Sequence, residues 1–112
     1  MKKIEAIIKP YKLEEVRDAL GELGVNGMTV TEVRGFGHQK GPAEHFRGAE
    51  DTAGLRPNIR IEVVVPDRTA QSAVAAVVKS ARTGKTGDGK IFVARVEQAV
   101  RIRTEETGDN AI

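Results

Sequence analysis

Short apolar runs that stop at proline alternate along the chain with stretches whose apolar residues recur at helical spacing. Ile4-Glu5-Ala6-Ile7-Ile8 stands just before Pro10, and Ile61-Glu62-Val63-Val64-Val65 stands directly before Pro66. Each run is rich in β-formers, contains one acid and ends at a residue that cannot donate to a ladder, so each predicts a short strand. A helical pattern follows each of them. In the first, Leu13, Val16, Leu20 and Leu23 form the stripe and Gly24 supplies the stop. In the second, Ala70, Ala73, Val74, Val77 and Val78 form the stripe, with Asp67 as the predicted N-cap. The pattern then returns to strand at 28–36 and at 90–96, and a last short strand is expected at 100–103.

The order is βαβ, an insert, and βαβ again, the first copy opening at Ile4 and the second at Ile61. Strand–helix–strand units cross over with a right hand almost without exception. Two such units in one small chain predict an α+β, ferredoxin-like double βαβ sandwich, a single domain over 1–112 with both helices on one face of four strands. The insert, 37–57, has four glycines, two prolines and no periodic apolar pattern. Loops of this length in compact domains are functional or disordered, and this one is expected at the tip of a long hairpin between strands two and three.

Composition narrows the class. With 39% hydrophobic and 30% charged residues the chain can build one core, which excludes wholesale disorder. No apolar run reaches the roughly 18 residues of a spanning helix, and Glu5 and Lys9 interrupt the N-terminus, so neither a signal peptide nor membrane insertion is expected and the expected address is the cytoplasm. Zero cysteines exclude a disulfide scaffold, a thiolate metal site and a cysteine nucleophile. The net charge of +2 comes from interleaved signs, so a dedicated polybasic nucleic-acid binder is not indicated.

The sharpest local chemistry is Thr83-Gly84-Lys85-Thr86-Gly87-Asp88-Gly89-Lys90, a glycine-rich, cationic turn between a helix and a strand. Glycines let a backbone approach an anion closely, and Lys90 adds a point charge. The spacing is not that of a Walker A loop, and the order is helix–loop–strand. A plain tight turn is the alternative. Arg101 and Arg103 are two apart, so on a strand both guanidinium groups leave one face, where they suit polyphosphate oxygens or guard an exposed edge. Glu62 can accept ribose hydroxyls or face solvent, and the alternation of its strand favours solvent. His38 and His45 lie in the insert without a usual ligand spacing, which argues against a histidine metal site.

Taken together, GMTVTEVRGFG at 27–37, QKG at 39–41, FRGAE at 46–50, TGKTGDGKIFV at 83–93 and RIRT at 101–104 resemble the PII signal-transduction family across essentially the whole chain. The resemblance implies a non-enzymatic, cytoplasmic regulator of nitrogen or carbon metabolism, a homotrimer with ATP or ADP in the clefts between subunits. It implies that 37–57 is the family's T-loop, 82–90 its phosphate-binding B-loop and 101–112 its C-terminal segment. By the same resemblance Ile7, Thr29, Gly35 and Val64 surround adenine and Glu62 meets the ribose. Gly87, Asp88, Gly89, Lys90, Arg101 and Arg103 hold phosphates, and Phe36, Gly37 and His38 complete the nucleotide site. Gln39 would coordinate magnesium shared with the phosphates and 2-oxoglutarate, and Lys9, Lys40, Gly41 and Gly87 would line the 2-oxoglutarate site. Glu44, Phe46, Arg47, Glu50 and Asp51 would face the target, a membrane transporter such as an ammonium channel or a soluble metabolic enzyme.

Departures from the family matter as much. Asp51 stands where many members carry the tyrosine that receives a nucleotidyl group, and Ala49 where some carry a phosphorylated serine, so neither modification is expected here. His38 replaces a common arginine. Asn58 replaces a common lysine that pairs with a 2-oxoglutarate carboxylate, a loss of roughly 1.5–3 kcal/mol unless Arg60 or Lys9 compensates. The alternative reading is therefore an adenylate-only sensor. More distant alternatives are an RNA-recognition module, which lacks its stacking aromatics here, and a small nucleotide-dependent enzyme, which lacks a positioned base.

Overall fold

The computed structural model describes residues 1–36 and 54–112. Four strands form one antiparallel sheet: β1 (Lys2–Ile8), β2 (Thr29–Gly35), β3 (Arg56–Val65) and β4 (Lys90–Arg95), in the spatial order β2-β3-β1-β4. Two helices, α1 (Leu13–Gly21) and α2 (Asp67–Ala81), connect β1 to β2 and β3 to β4. The doubled βαβ expectation thus holds for element order and sheet pairing. The strand predicted from Ile61 is longer than expected, because β3 begins at Arg56, inside the segment read as insert.

Strict alternation explains why the sheet has one dry face. Ile4, Ala6 and Ile8 of β1 and Ile59, Ile61, Val63 and Val65 of β3 are buried, and every residue between them is only half-buried. Above that face α1 contributes Val16 and Leu20, and α2 contributes Ala73, Val77 and Ala81, to one continuous core. Helix spacing accounts for most of the expected stripe, but Val78 is exposed and Leu23 lies past the end of α1, also exposed.

Gly24 does stop the first helix, and the geometry shows how. It adopts a φ of +84°, and its amide donates to the carbonyl of Gly21 at 3.0 Å while the Val25 amide donates to that of Leu20 at 3.1 Å. That is a Schellman closure, with Val25 folding back onto the core beside Leu20. Two expectations fail. Asp67 is the first helical residue of α2, not its N-cap, and makes no capping bond, because its carboxylate turns to the Met1 ammonium at 2.9 Å and Lys2 Nζ at 3.2 Å. No strand forms at 100–103. A single bridge pairs Val100 with Thr107, and residues 102–104 turn between them, since Glu105 takes a φ of +62° and its amide closes onto the Arg101 carbonyl at 2.7 Å.

Candidate functional site

Between α2 and β4 the chain must turn back sharply onto the edge of the sheet, and glycine makes this possible. Gly84, Gly87 and Gly89 all have positive φ, of +85°, +93° and +98°. Gly89 also lies against β1: a Cβ placed on it would sit 1.7 Å from the Ile7 carbonyl oxygen. Asp88 organises the rest of the turn. Its carboxylate accepts the amides of Thr83 and Gly84, each at 2.9 Å, and the Thr83 hydroxyl. Lys9 Nζ lies 3.4 Å from the same carboxylate and donates to Thr83 Oγ1 at 3.2 Å. The Lys85 amide closes onto Thr83 Oγ1 at 3.1 Å. The amides of 83–85 are therefore committed to oxygens of the turn itself, which leaves 87–90 as the half that can meet an outside anion.

Partial burial pushes the Asp88 carboxyl upward, but the bonds from Thr83 and Gly84 and the contact with Lys9 outweigh it and hold the pKa down to about 2. A depressed carboxylate stabilises the fold above its unfolded pKa near 4 and loses that contribution as pH falls towards 2. Urea unfolding at pH 7 and at pH 3 should register this loss, up to about 2 kcal/mol once Asp88 is fully protonated. Asp88→Asn should flatten the acid limb of the stability profile and lower stability at pH 7. An unchanged acid limb in that variant would contradict the assignment.

The face of the sheet away from the helices carries six of the residues predicted from sequence: Ile7, Thr29, Gly35, Glu62, Val64 and Lys90. The ladder register sets Thr31, Arg60, Ile7 and Lys90 in one row across all four strands, and Thr29, Glu62, Glu5 and Phe92 in the next. Val64, Lys3 and Ala94 form a third row, and Gly35 pairs with Arg56 at the far end. Two acids, Glu5 and Glu62, thus stand directly opposite each other, a repulsive pairing offset by Lys3, whose Nζ lies 3.2 Å from Glu62. Arg60 Nε is buried with no hydrogen-bond partner among the described residues. Phe92 and Phe36 are exposed large apolar side chains.

One chain does not bring the predicted site together. Gly35 and Val64 lie at opposite ends of β2 and β3, eight positions apart along β3 (Arg56 to Val64), roughly 26 Å. Ile7, Gly87, Asp88, Gly89 and Lys90 cluster where β1 ends. Arg101 and Arg103 belong to the other end of the sheet. β4 runs away from Lys90 for roughly 17 Å before Val96 donates to the Met1 carbonyl at 3.1 Å. Beyond it the C-terminal segment closes against the start of α2, with Asp109 3.8 Å from Arg68. There Arg101 is exposed and held by Glu106 at 3.1 Å and the Asn110 carbonyl at 3.3 Å. Arg103 is exposed on the turn. Neither is on a strand, so their expected common face does not exist in this form.

Lys9 and Asn58, the described residues nearest in role to a dicarboxylate site, are already engaged. Asn58 donates to the Arg56 carbonyl at 3.4 Å, and Lys9 belongs to the Asp88 cluster. Gly37, His38, Gln39, Lys40, Gly41, Glu44, His45, Phe46, Arg47, Ala49, Glu50 and Asp51 lie outside the described residues. Among the described residues no three acids or histidines converge on a metal position, and no helix is long and apolar enough to cross a membrane. Sequence reasoning credited the turn to its glycines and Lys90 and missed the roles of Thr83 and Lys9. The available signal was an aspartate inside a glycine-rich turn, a residue that habitually binds nearby backbone amides.

A family model described as "Nitrogen regulatory protein P-II" matches residues 1–106. The chain is 55% identical over 112 residues to a "Nitrogen regulatory protein P-II" of Haemophilus influenzae, with all of both chains covered. The corresponding figure is 57% for a protein of that name from Cereibacter sphaeroides, again with full coverage of both. For "Nitrogen regulatory protein P-II 1" of Escherichia coli K12 it is 56%, with the same coverage.

Proposed function

The chain belongs to the nitrogen regulatory protein P-II family, and from that premise we propose that it is a signalling trimer that binds ATP or ADP between subunits and controls its target through segment 37–57. The observation that carries this reading is the division of the site. The phosphate-suited turn with Lys90 lies at one end of the sheet, while Arg101 and Arg103 lie at the other. Cations separated in this way converge on one polyphosphate when the turn of one copy meets the C-terminal segment of the next. The helix-free face supplies the contact surface. Its exposed Phe92 favours being covered, and the buried Arg60 Nε, which has no partner among the described residues, favours meeting an acceptor from a second copy, since a buried donor without a partner costs about 1–3 kcal/mol.

The residues fit the nucleotide as a group. Gly87 and Gly89 open the backbone, Lys90 and the two arginines balance phosphate charge, and Glu62 accepts ribose hydroxyls once Lys3 yields. A magnesium ion would bring charge neutralisation to the phosphates, with Gln39 as its protein ligand. A ligand shifts a loop only by binding one of its states better than another, so a γ-phosphate that recruits Gln39 would separate the ATP form from the ADP form. The target would be a transporter such as an ammonium channel, or a soluble enzyme of nitrogen or carbon metabolism.

The test is complementation between copies. Lys90→Met and Arg101→Met should each weaken Mg-ATP binding at least tenfold when assayed alone. Refolded together in equal amounts, they should regain about one quarter of the full-affinity sites, because a random mixture pairs an intact turn with an intact C-terminal segment that often. Calorimetry reads the stoichiometry directly. Recovery of no sites would place both cations in one chain's site and overturn the shared arrangement. An absence of nucleotide binding by the unsubstituted protein would end the nucleotide reading altogether.

A second reading, an adenylate sensor without a 2-oxoglutarate response, draws on one observation. Lys9 and the neutral Asn58 are both committed to intramolecular partners. Excess 2-oxoglutarate that leaves Mg-ATP affinity unchanged would favour it.

A further inference from the structure

Lys9 follows β1 directly and is fixed from both sides. Pro10 constrains the chain after it, and its own carbonyl accepts the Lys12 amide at 3.0 Å in the short 3-10 turn. Its side chain is only 18% exposed and that of Asp88 25%, so the pair is no rim contact between two solvated groups. From this anchored position Nζ reaches two groups of the turn, Thr83 Oγ1 at 3.2 Å and Asp88 at 3.4 Å. Asp88 in turn gathers the Thr83 and Gly84 amides, and the next residue, Gly89, rests on the Ile7 carbonyl. The half of the turn left for an anion, 87–90, is thus held by a chain of contacts that begins at Lys9.

Resting on the nucleotide reading above, we propose that Lys9 is a positioning residue that acts through Asp88: it clamps the turn to the end of β1 and neutralises the carboxylate that would otherwise repel the phosphates of a bound nucleotide. A carboxylate built into an anion-binding turn is a liability unless its charge is cancelled locally, and Lys9 is the cation that the described structure places beside it. On this account Lys9 touches no phosphate of the bound nucleotide. Its ammonium is occupied by the protein's own anion.

The direct-ligand and positioning roles separate in a double-mutant cycle on the full chain, read with Mg-ADP by calorimetry. Lys9→Met should weaken Mg-ADP about tenfold, the loss expected from one charge-assisted contact and an uncompensated carboxylate. Asp88→Asn introduced into the Lys9→Met protein should weaken it no further and should recover part of the loss. Lys9→Arg should retain most of the affinity. In the ligand-free protein, hydrogen exchange at the Thr83 and Gly84 amides should accelerate in Lys9→Met, a change that the loss of a simple ligand contact would not cause.

Additive losses in the double variant, or a tenfold loss of binding with unchanged exchange at those amides, would make Lys9 a direct ligand and overturn the proposal. So would an unchanged affinity in Lys9→Met. If the unsubstituted protein binds neither Mg-ADP nor Mg-ATP, the nucleotide reading falls and takes the proposal with it, whereas binding by the unsubstituted protein with no effect of Lys9→Met removes the proposal alone.

Discussion

Gly89→Ala is expected to be the most damaging single substitution in the phosphate-suited turn, lowering stability by about 3 kcal/mol or more, or forcing the turn off the sheet. Two costs combine. The residue sits at φ +98°, where any side chain is strained by about 1–2 kcal/mol. The new methyl would then lie 1.7 Å from the Ile7 carbonyl oxygen and 2.8 Å from its carbon, and these are backbone atoms inside the β1 ladder. They cannot move aside without breaking the pairing of Ile7 with Arg60 and Lys90. Gly84→Ala is the control. Gly84 has a similar φ of +85° but nothing within 4 Å of its would-be Cβ, so only the strain remains and about 1 kcal/mol is expected. Thermal and denaturant unfolding of the two variants should differ by roughly 2 kcal/mol or more. Near-equal losses would mean that the approach to β1 is loose. Under the proposed function Gly89→Ala also abolishes Mg-ATP binding, since the turn that would cradle the phosphates has moved.

Ile61→Ala should cost about 3–4 kcal/mol, read as a drop in the denaturant midpoint at constant slope. Ile61 is fully buried on a central strand, flanked by Val30 on β2 and Ala6 on β1. The neighbour on the β1 side is already small, so no large side chain there can swing in to fill the void, and the cavity term should be nearly complete. Glu62, the next residue, points to the opposite face, and Glu62→Ala should change stability by less than about 1 kcal/mol because its pair with Lys3 is half exposed. A cost below about 1.5 kcal/mol for Ile61→Ala would indicate that the helices collapse onto the gap.

The contrast between neighbours Ile61 and Glu62 shows how much of this protein is written in a local pattern. Period-two alternation fixes which residues of β1 and β3 are dry, and period 3.6 gives most of the residues of α1 and α2 that meet them, Leu23 and Val78 excepted, so much of the core can be read before any contact is known. Expectations that needed one more partner fared differently. Asp67 has the right type and place for an N-cap, yet its carboxylate is drawn to Met1 and Lys2, which arrive from a strand distant in sequence. Arg101 and Arg103 have strand spacing, yet the chain turns at 102–104 where Arg101 binds Glu106. The first was settled by charges that arrive from a distant strand, the second by the left-handed backbone at Glu105 and its bond to the Arg101 carbonyl, and the period-two spacing of the arginines carries no information about either.

Sequence by itself determined the doubled βαβ order, the two apolar faces, the glycine-rich turn and the family, because short-range periodicity and motif order survive in one dimension. Only the tertiary structure decided that Lys9 at the end of the first strand reaches Asp88 just before the last, that Gly89 must clear the Ile7 carbonyl, and that Lys90 and Arg101 lie at opposite ends of one sheet. Those facts depend on strand register and on the direction in which each strand runs. Antiparallel pairing of β4 with β1 carries the chain away from its own turn, so two cations close in sequence are delivered to different ends of the molecule.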